Sequence, residues 1–188
     1  MPEFFAGRLN NRKAEVDLNI AVVDTADHRE TEDETITVAE RIMLIDAVPE
    51  SGKLRPGLEN LIYIDVSYPD GAVAPADLVV TGRNLAPIST TTDIYGLAVI
   101  SVTAPARNLL ALEVVATDAA GNVVKQPLTL GGDVSDFGAI LLRPDRTAYR
   151  IGDTMNLDIF VDGALDTVYL DVIKDLSLIH ISEPTRPY

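Results

Sequence analysis

The sequence predicts an all-β chain of short antiparallel strands stacked as sandwiches. Three observations point there. Apolar and polar residues alternate with a period of two, turn signatures separate these runs at short intervals, and related segments recur about 92–95 residues apart.

The first run is "EVDLNIAVV" (15–23), with Val16, Leu18, Ile20 and Val22 on one face and Glu15, Asp17 and Asn19 on the other. That is a half-buried strand. Around Leu61–Tyr68, Ile62, Ile64 and Val66 line one side, and Asp65 and Ser67 mark the other. The turn signal "YPDGA" follows. In "TTDIYGLAVISV" (91–102), Asp93 is placed to accept local backbone N–H bonds and Gly96 to take the positive φ of a tight hairpin. The strand 97–103 comes next, and "AAGN" marks another turn. "NLDIFV" sets Leu157, Ile159 and Val161 against Asn156 and Asp158, and after "VDGA" the run "TVYLDVIK" puts Val168, Leu170 and Val172 on one face. No segment of useful length shows helical apolar spacing.

The repeat carries the domain organisation. "VVDTADHRE" (22–30) matches "ATDAAGNVV" (116–124), and "ITV" (36–38) matches "LTL" (128–130). "LRPG" (54–57) matches "YRIG" (149–152), and "PDGA" (69–72) matches "VDGA" (161–164). The shared register is the size of one immunoglobulin-like sandwich, about 100 residues. One complete sandwich of about seven strands is expected over 43–134. Residues 1–42 are then the C-terminal part of one truncated sandwich, and 135–175 the N-terminal part of another. The connection "TLGGDVSDFGA" (129–139) links the complete copy to the next, with Gly131-Gly132 as the expected hinge and first site of limited proteolysis.

Composition narrows the partners. The chain of 188 residues is 47% hydrophobic with a formal net charge of −14, so it has material for a core and repels polyanions. No nucleic acid or anionic membrane surface is expected as a partner. No run reaches the roughly 18 apolar residues of a membrane span. There is no cysteine, which removes disulfides, thiol nucleophiles and thiolate zinc sites. The opening "MPEFFAGRLNNRK" lacks the apolar core of a secretory signal. Together with the repeat register, this reads as a missing N-terminus.

The end, "LSLIHISEPTRPY" (176–188), has a different source. Reverse-translated, "LSLIHISEPTR" fits a transposon-end adapter used in sequencing libraries, codon after codon in one frame. Residues 176–188 are read as a non-native tail, and His180 is excluded from any site.

The stretch "AILLRPDRTAYRIGDTMNLDIFVDGALDTVYLDVIKD" (139–175) resembles the opening of a macroglobulin (MG) domain of the bacterial α2-macroglobulin family. "TTDIYGLAVISV" and "AVPESGKLRPGLENLIYIDVSYPDG" (47–71) are similar to the corresponding hairpin and opening strands of such a domain. The resemblance implies MG-type sandwiches acting as scaffold in a secreted or envelope-anchored endopeptidase inhibitor that traps proteases. Its implied partners are neighbouring MG domains of the same parent chain and, through the parent, proteases; its implied location is extracellular, periplasmic or at the cell envelope. The family's bait segment and Cys–Gln thioester have no counterpart here, because there is no cysteine and no long structureless connection. The other expected reading is an Ig-like spacer or adhesion repeat of a bacterial surface protein.

No catalytic, cofactor-binding or metal-binding residue is assigned, and no cofactor is expected. His28 lacks a nucleophile and aligns with Asn122, so it reads as a turn residue. "RETEDET" (29–35) lacks EF-hand spacing and reads as a solvated edge. Asp24, Asp27, Asp70 and Asp118 suggest paired-carboxylate chemistry, yet each sits in a turn signature, and tryptophan is absent. Arg143, Arg146 and Arg150 read as arginines covering an interdomain seam with their stems.

Overall fold

The computed structural model describes residues 12–105, 109–132, 139–162, 167–174 and 177–180. The strands are β1 Lys13–Val23, β2 Arg29–Ala39, β3 Leu44–Pro49, β4 Glu59–Ser67, β5 Ala76–Gly82, β6 Leu85–Thr91 and β7 Leu97–Thr103. They continue as β8 Leu110–Asp118, β9 Val123–Leu130, β10 Ile140–Pro144, β11 Leu157–Val161, β12 Asp171–Lys174 and β13 Ser177–His180. The chain is all-β, and every strand pairing is antiparallel.

Seven strands make a sandwich from a three-stranded sheet, β3-β4-β7, and a four-stranded sheet, β6-β5-β8-β9. Strict alternation sends Ile62, Ile64 and Val66 of β4 inward with Ala98, Ile100 and Val102 of β7. They meet Leu78 and Val80 of β5 and Leu110, Leu112, Val114 and Ala116 of β8. Among the described residues this cluster runs from Met43 to Leu130 and includes none outside those limits. The fourth strand, β6, lies beside the third; in the immunoglobulin constant arrangement it would join the other sheet. The local cause is the two-residue connection Arg83-Asn84, with Asn84 at φ 61, which keeps β6 on its hairpin partner.

Asp-capped turns of one kind recur along the chain, inside and outside the matched register. Asp24 Oδ1 accepts from the amides of Ala26 and His28, and Asp118 Oδ1 from those of Ala120 and Asn122. Asp93 caps its hairpin the same way, through the amides of Tyr95 and Leu97. The left-handed position is Asp27 (φ 61) in the first turn, and Gly96 and Gly121 in the others. Likewise Gly57 (φ 77) and Gly152 (φ 93) follow Arg55 and Arg150, whose carbonyls accept the amides of Leu58 and Asp153. Gly163 and Ala164 of the second Asp-Gly-Ala motif lie outside the described residues.

Three expectations change. The apolar row of β1 was expected to be half-buried, but Ile20 is 47% and Val22 65% exposed, because β1 and β2 form a two-stranded sheet with no second layer over it among the described residues. The strand expected across "TVYLDVIK" begins only at Asp171, and β12 pairs with β13 in the tail read as non-native. An unpaired strand edge accepts any extended backbone, so this pairing needs no matched sequence. The Gly131-Gly132 pair, expected as a hinge, is tied to the sandwich: Leu54 N–H donates to Gly131 O at 2.9 Å, and Leu54 bridges Gly132. Residues 133–138 of the same linker lie outside the described residues.

Candidate functional site

The acidic turn residues stay apart in their turns. Asp24 Oδ2 lies 3.0 Å from His28 Nδ1, both strongly exposed. Backbone and ring donation from His28 holds the Asp24 carboxyl below its ordinary value. Asp118 is buried and bonded through Oδ2 to Asn122 Nδ2 at 2.8 Å and Tyr68 O–H at 3.3 Å. The Asn122 amides, side chain first, lower its pKa, and partial burial beside this carboxylate raises that of Tyr68. Asp70 Oδ1 accepts from the Ala72 amide. Each of these three carboxylates accepts at least one backbone N–H within its own turn. "RETEDET" is the first part of β2, exposed along that stretch, and no group of three or more candidate metal ligands occurs among the described residues.

The arrangement with the most convergent geometry lies where β10 and β11 meet the sandwich. Glu50 follows β3; its amide donates to Leu61 O at 2.9 Å, and its Oε1 accepts from Leu61 N–H at 2.8 Å. This fixes the carboxylate toward the seam. Arg143 of β10 grips it with two bonds, Nε to Oε2 at 2.8 Å and Nη2 to Oε1 at 2.7 Å, and reaches Glu59 O at 3.2 Å. The guanidinium also stands over the Phe160 ring, 4.6 Å from its centroid. Beneath it Leu58, Ala139 and Leu141 form a separate small apolar cluster with Phe160 against it. Asp162 closes over Gly57, where an added Cβ would lie 2.8 Å from its carboxylate oxygen.

A planar fork matched to a carboxylate fixes both distance and angle, which a lysine would not. Burial raises the Glu50 carboxyl, but the Arg143 guanidinium and the Leu61 amide more than offset this, so its pKa lies below the ordinary glutamate value; the pairing raises that of Arg143. The other two arginines behave differently. Arg146 stacks on Tyr149 and pairs with Asp145 and Asp153 within its own loop, and the Arg150 amide donates to Asp153.

A second junction lies on the other flank. Arg12 Nη2 bonds Asp46 Oδ1 at 2.7 Å and Ile45 O at 3.2 Å, Lys13 Nζ reaches Pro69 O at 3.1 Å, and Arg41 bonds Lys125 O. Sequence reasoning found Arg143 but neither Glu50 nor the Arg12–Asp46 pair. The only available signal was a charged residue at a strand end, which is too common to single out.

Replacing Arg143 with methionine keeps most of the stem and removes both bonds to Glu50 and the one to Glu59 O. It should weaken docking of β10–β11 by about 2 kcal/mol, as expected for charge-assisted hydrogen bonds, read as faster amide exchange in β10 and β11. The sign with pH follows from the lowered Glu50 value. The stabilisation is full above the unfolded glutamate pKa and is lost as pH falls through the lower folded value. Glu50→Gln should abolish this acid-side slope; an unchanged slope would show that Glu50 is not its source.

No protein-family model matches the chain, and no curated protein matches it.

Proposed function

We propose that these sandwiches are non-catalytic scaffold modules of MG type, from an α2-macroglobulin-like endopeptidase inhibitor of the cell envelope or extracellular space. The observation that carries the reading is the forked Glu50–Arg143 contact. It joins a sandwich to the hairpin that follows it at a set distance and angle. A protease trap needs that property, because its cleavable segment and its reactive group must be held apart until cleavage. Neighbouring modules of the same parent chain are the direct partners, and proteases are reached through the parent.

The test uses the full-length gene product. After exposure to a protease, that protein should block cleavage of large substrates while the captured protease still cuts small peptides. A parent that contains only further sandwiches and a surface anchor, and captures no protease, would mark the modules as spacer or adhesion repeats instead.

A further inference from the structure

The outer faces of the two sheets differ. On the four-stranded sheet, Val79 faces outward, paired with Ser89 and Val115 and neighboured by Thr117, Glu113 and Lys125, a mixed surface. On the three-stranded sheet, one register row crosses all three strands and is wholly apolar: Val48, Tyr63 and Val99 are directly paired. They are 56%, 36% and 45% exposed. The next row pairs Asp46 with Asp65, two carboxylates directly opposed across adjacent strands. Like charges in that position destabilise a sheet. Burial and the neighbouring Asp46 raise the Asp65 pKa. Asp46 is matched by Arg12, whereas Asp65 has no ion pair among the described residues.

We propose that this outer face of β3-β4-β7 is a docking surface for a polypeptide segment that sets apolar side chains beside an arginine or lysine. The apolar row supplies the burial, and Tyr63 at its centre is the residue type that dominates such contacts. Asp65 supplies the unmet charge. Arg12 shows that this corner accepts a guanidinium, since it already bonds both the Asp46 carboxylate and the Ile45 carbonyl. A second copy of the chain is a poor occupant, because two bodies of net charge −14 repel each other. This inference does not depend on the scaffold reading.

The test is amide chemical-shift mapping on the whole chain with a short peptide alternating leucine and arginine. The controls are a matched leucine–glutamate peptide and polylysine of equal charge. Shifts should centre on Val48, Tyr63 and Val99. Tyr63→Ser should weaken binding about tenfold, the loss expected for a central aromatic anchor. Asp65→Asn should also weaken it, while Asp77→Asn, outside the patch, should not. Thermal unfolding matched to the parent chain verifies that each variant is folded. The proposal is overturned by absent binding, by equal binding of polylysine, by shifts spread over acidic surface generally, or by indifference to Tyr63→Ser. Self-association through this face without peptide would overturn it too.

Discussion

Asn60→Leu should destabilise the sandwich by about 3 kcal/mol, three net hydrogen bonds at about 1 kcal/mol each, read as a lowered urea midpoint at unchanged slope. Asn60 is fully buried at the start of β4, the one polar side chain among the largest wholly buried ones. Its Oδ1 accepts from Arg55 N–H at 2.7 Å, and its Nδ2 donates to Arg55 O at 3.0 Å and Leu58 O at 2.8 Å. The side chain thus stands in for a strand partner around the Arg55–Leu58 turn. Leucine nearly matches its size and reproduces none of the bonds. A loss below about 1 kcal/mol would mean the turn closes without Asn60.

Gly96→Ala should cost a similar amount, about 3 kcal/mol, from left-handed strain of about 1–2 kcal/mol plus a steric clash. Gly96 has φ 80, and an added Cβ would lie 2.5 Å from Val66 O. Relief would have to move the end of β4, where the Val66 amide donates to Gly96 O at 2.8 Å. Gly121 is the control: its φ is 83, but nothing lies within 4 Å of an added Cβ. Gly121→Ala should therefore show the strain alone. Equal losses at the two glycines would remove the clash from the account.

The alternating runs made much of the fold legible. Ile62, Ile64 and Val66 were readable as an inward face because β4 is a central strand between β3 and β7, with one clean apolar side. The Asp-capped turns were readable because the side chain itself makes the bonds. Two of the sandwich's edge strands were harder. β6, "LAPISTT", and β9, "VVKQPLTL", carry Pro87 and Pro127, which a sheet accepts only where an N–H is not required. Their weak patterns gave a strand count but no positions.

The seam was half legible. An arginine such as Arg143 covering a junction follows from its amphipathic stem, but Glu50 stands 93 residues away, and only the folded chain brings them together. The outward row was hidden for another reason. Tyr63 falls on the face that Asp65 and Ser67 mark as polar, so a period of two assigns it to solvent without showing that Val48 and Val99 lie beside it.

One hydrophobic interior, bounded by Met43 and Leu130, should fold as a unit, with the flanking hairpins docked on it without sharing it. Native-state amide hydrogen exchange on the whole chain tests this most directly. Ile62, Ile64, Val80 and Val114 should exchange through one common opening with the highest protection. Amides of β1–β2 and β10–β11 should exchange through separate openings of lower free energy. Protection of either hairpin equal to that of β4 and β8, lost in the same event, would contradict it.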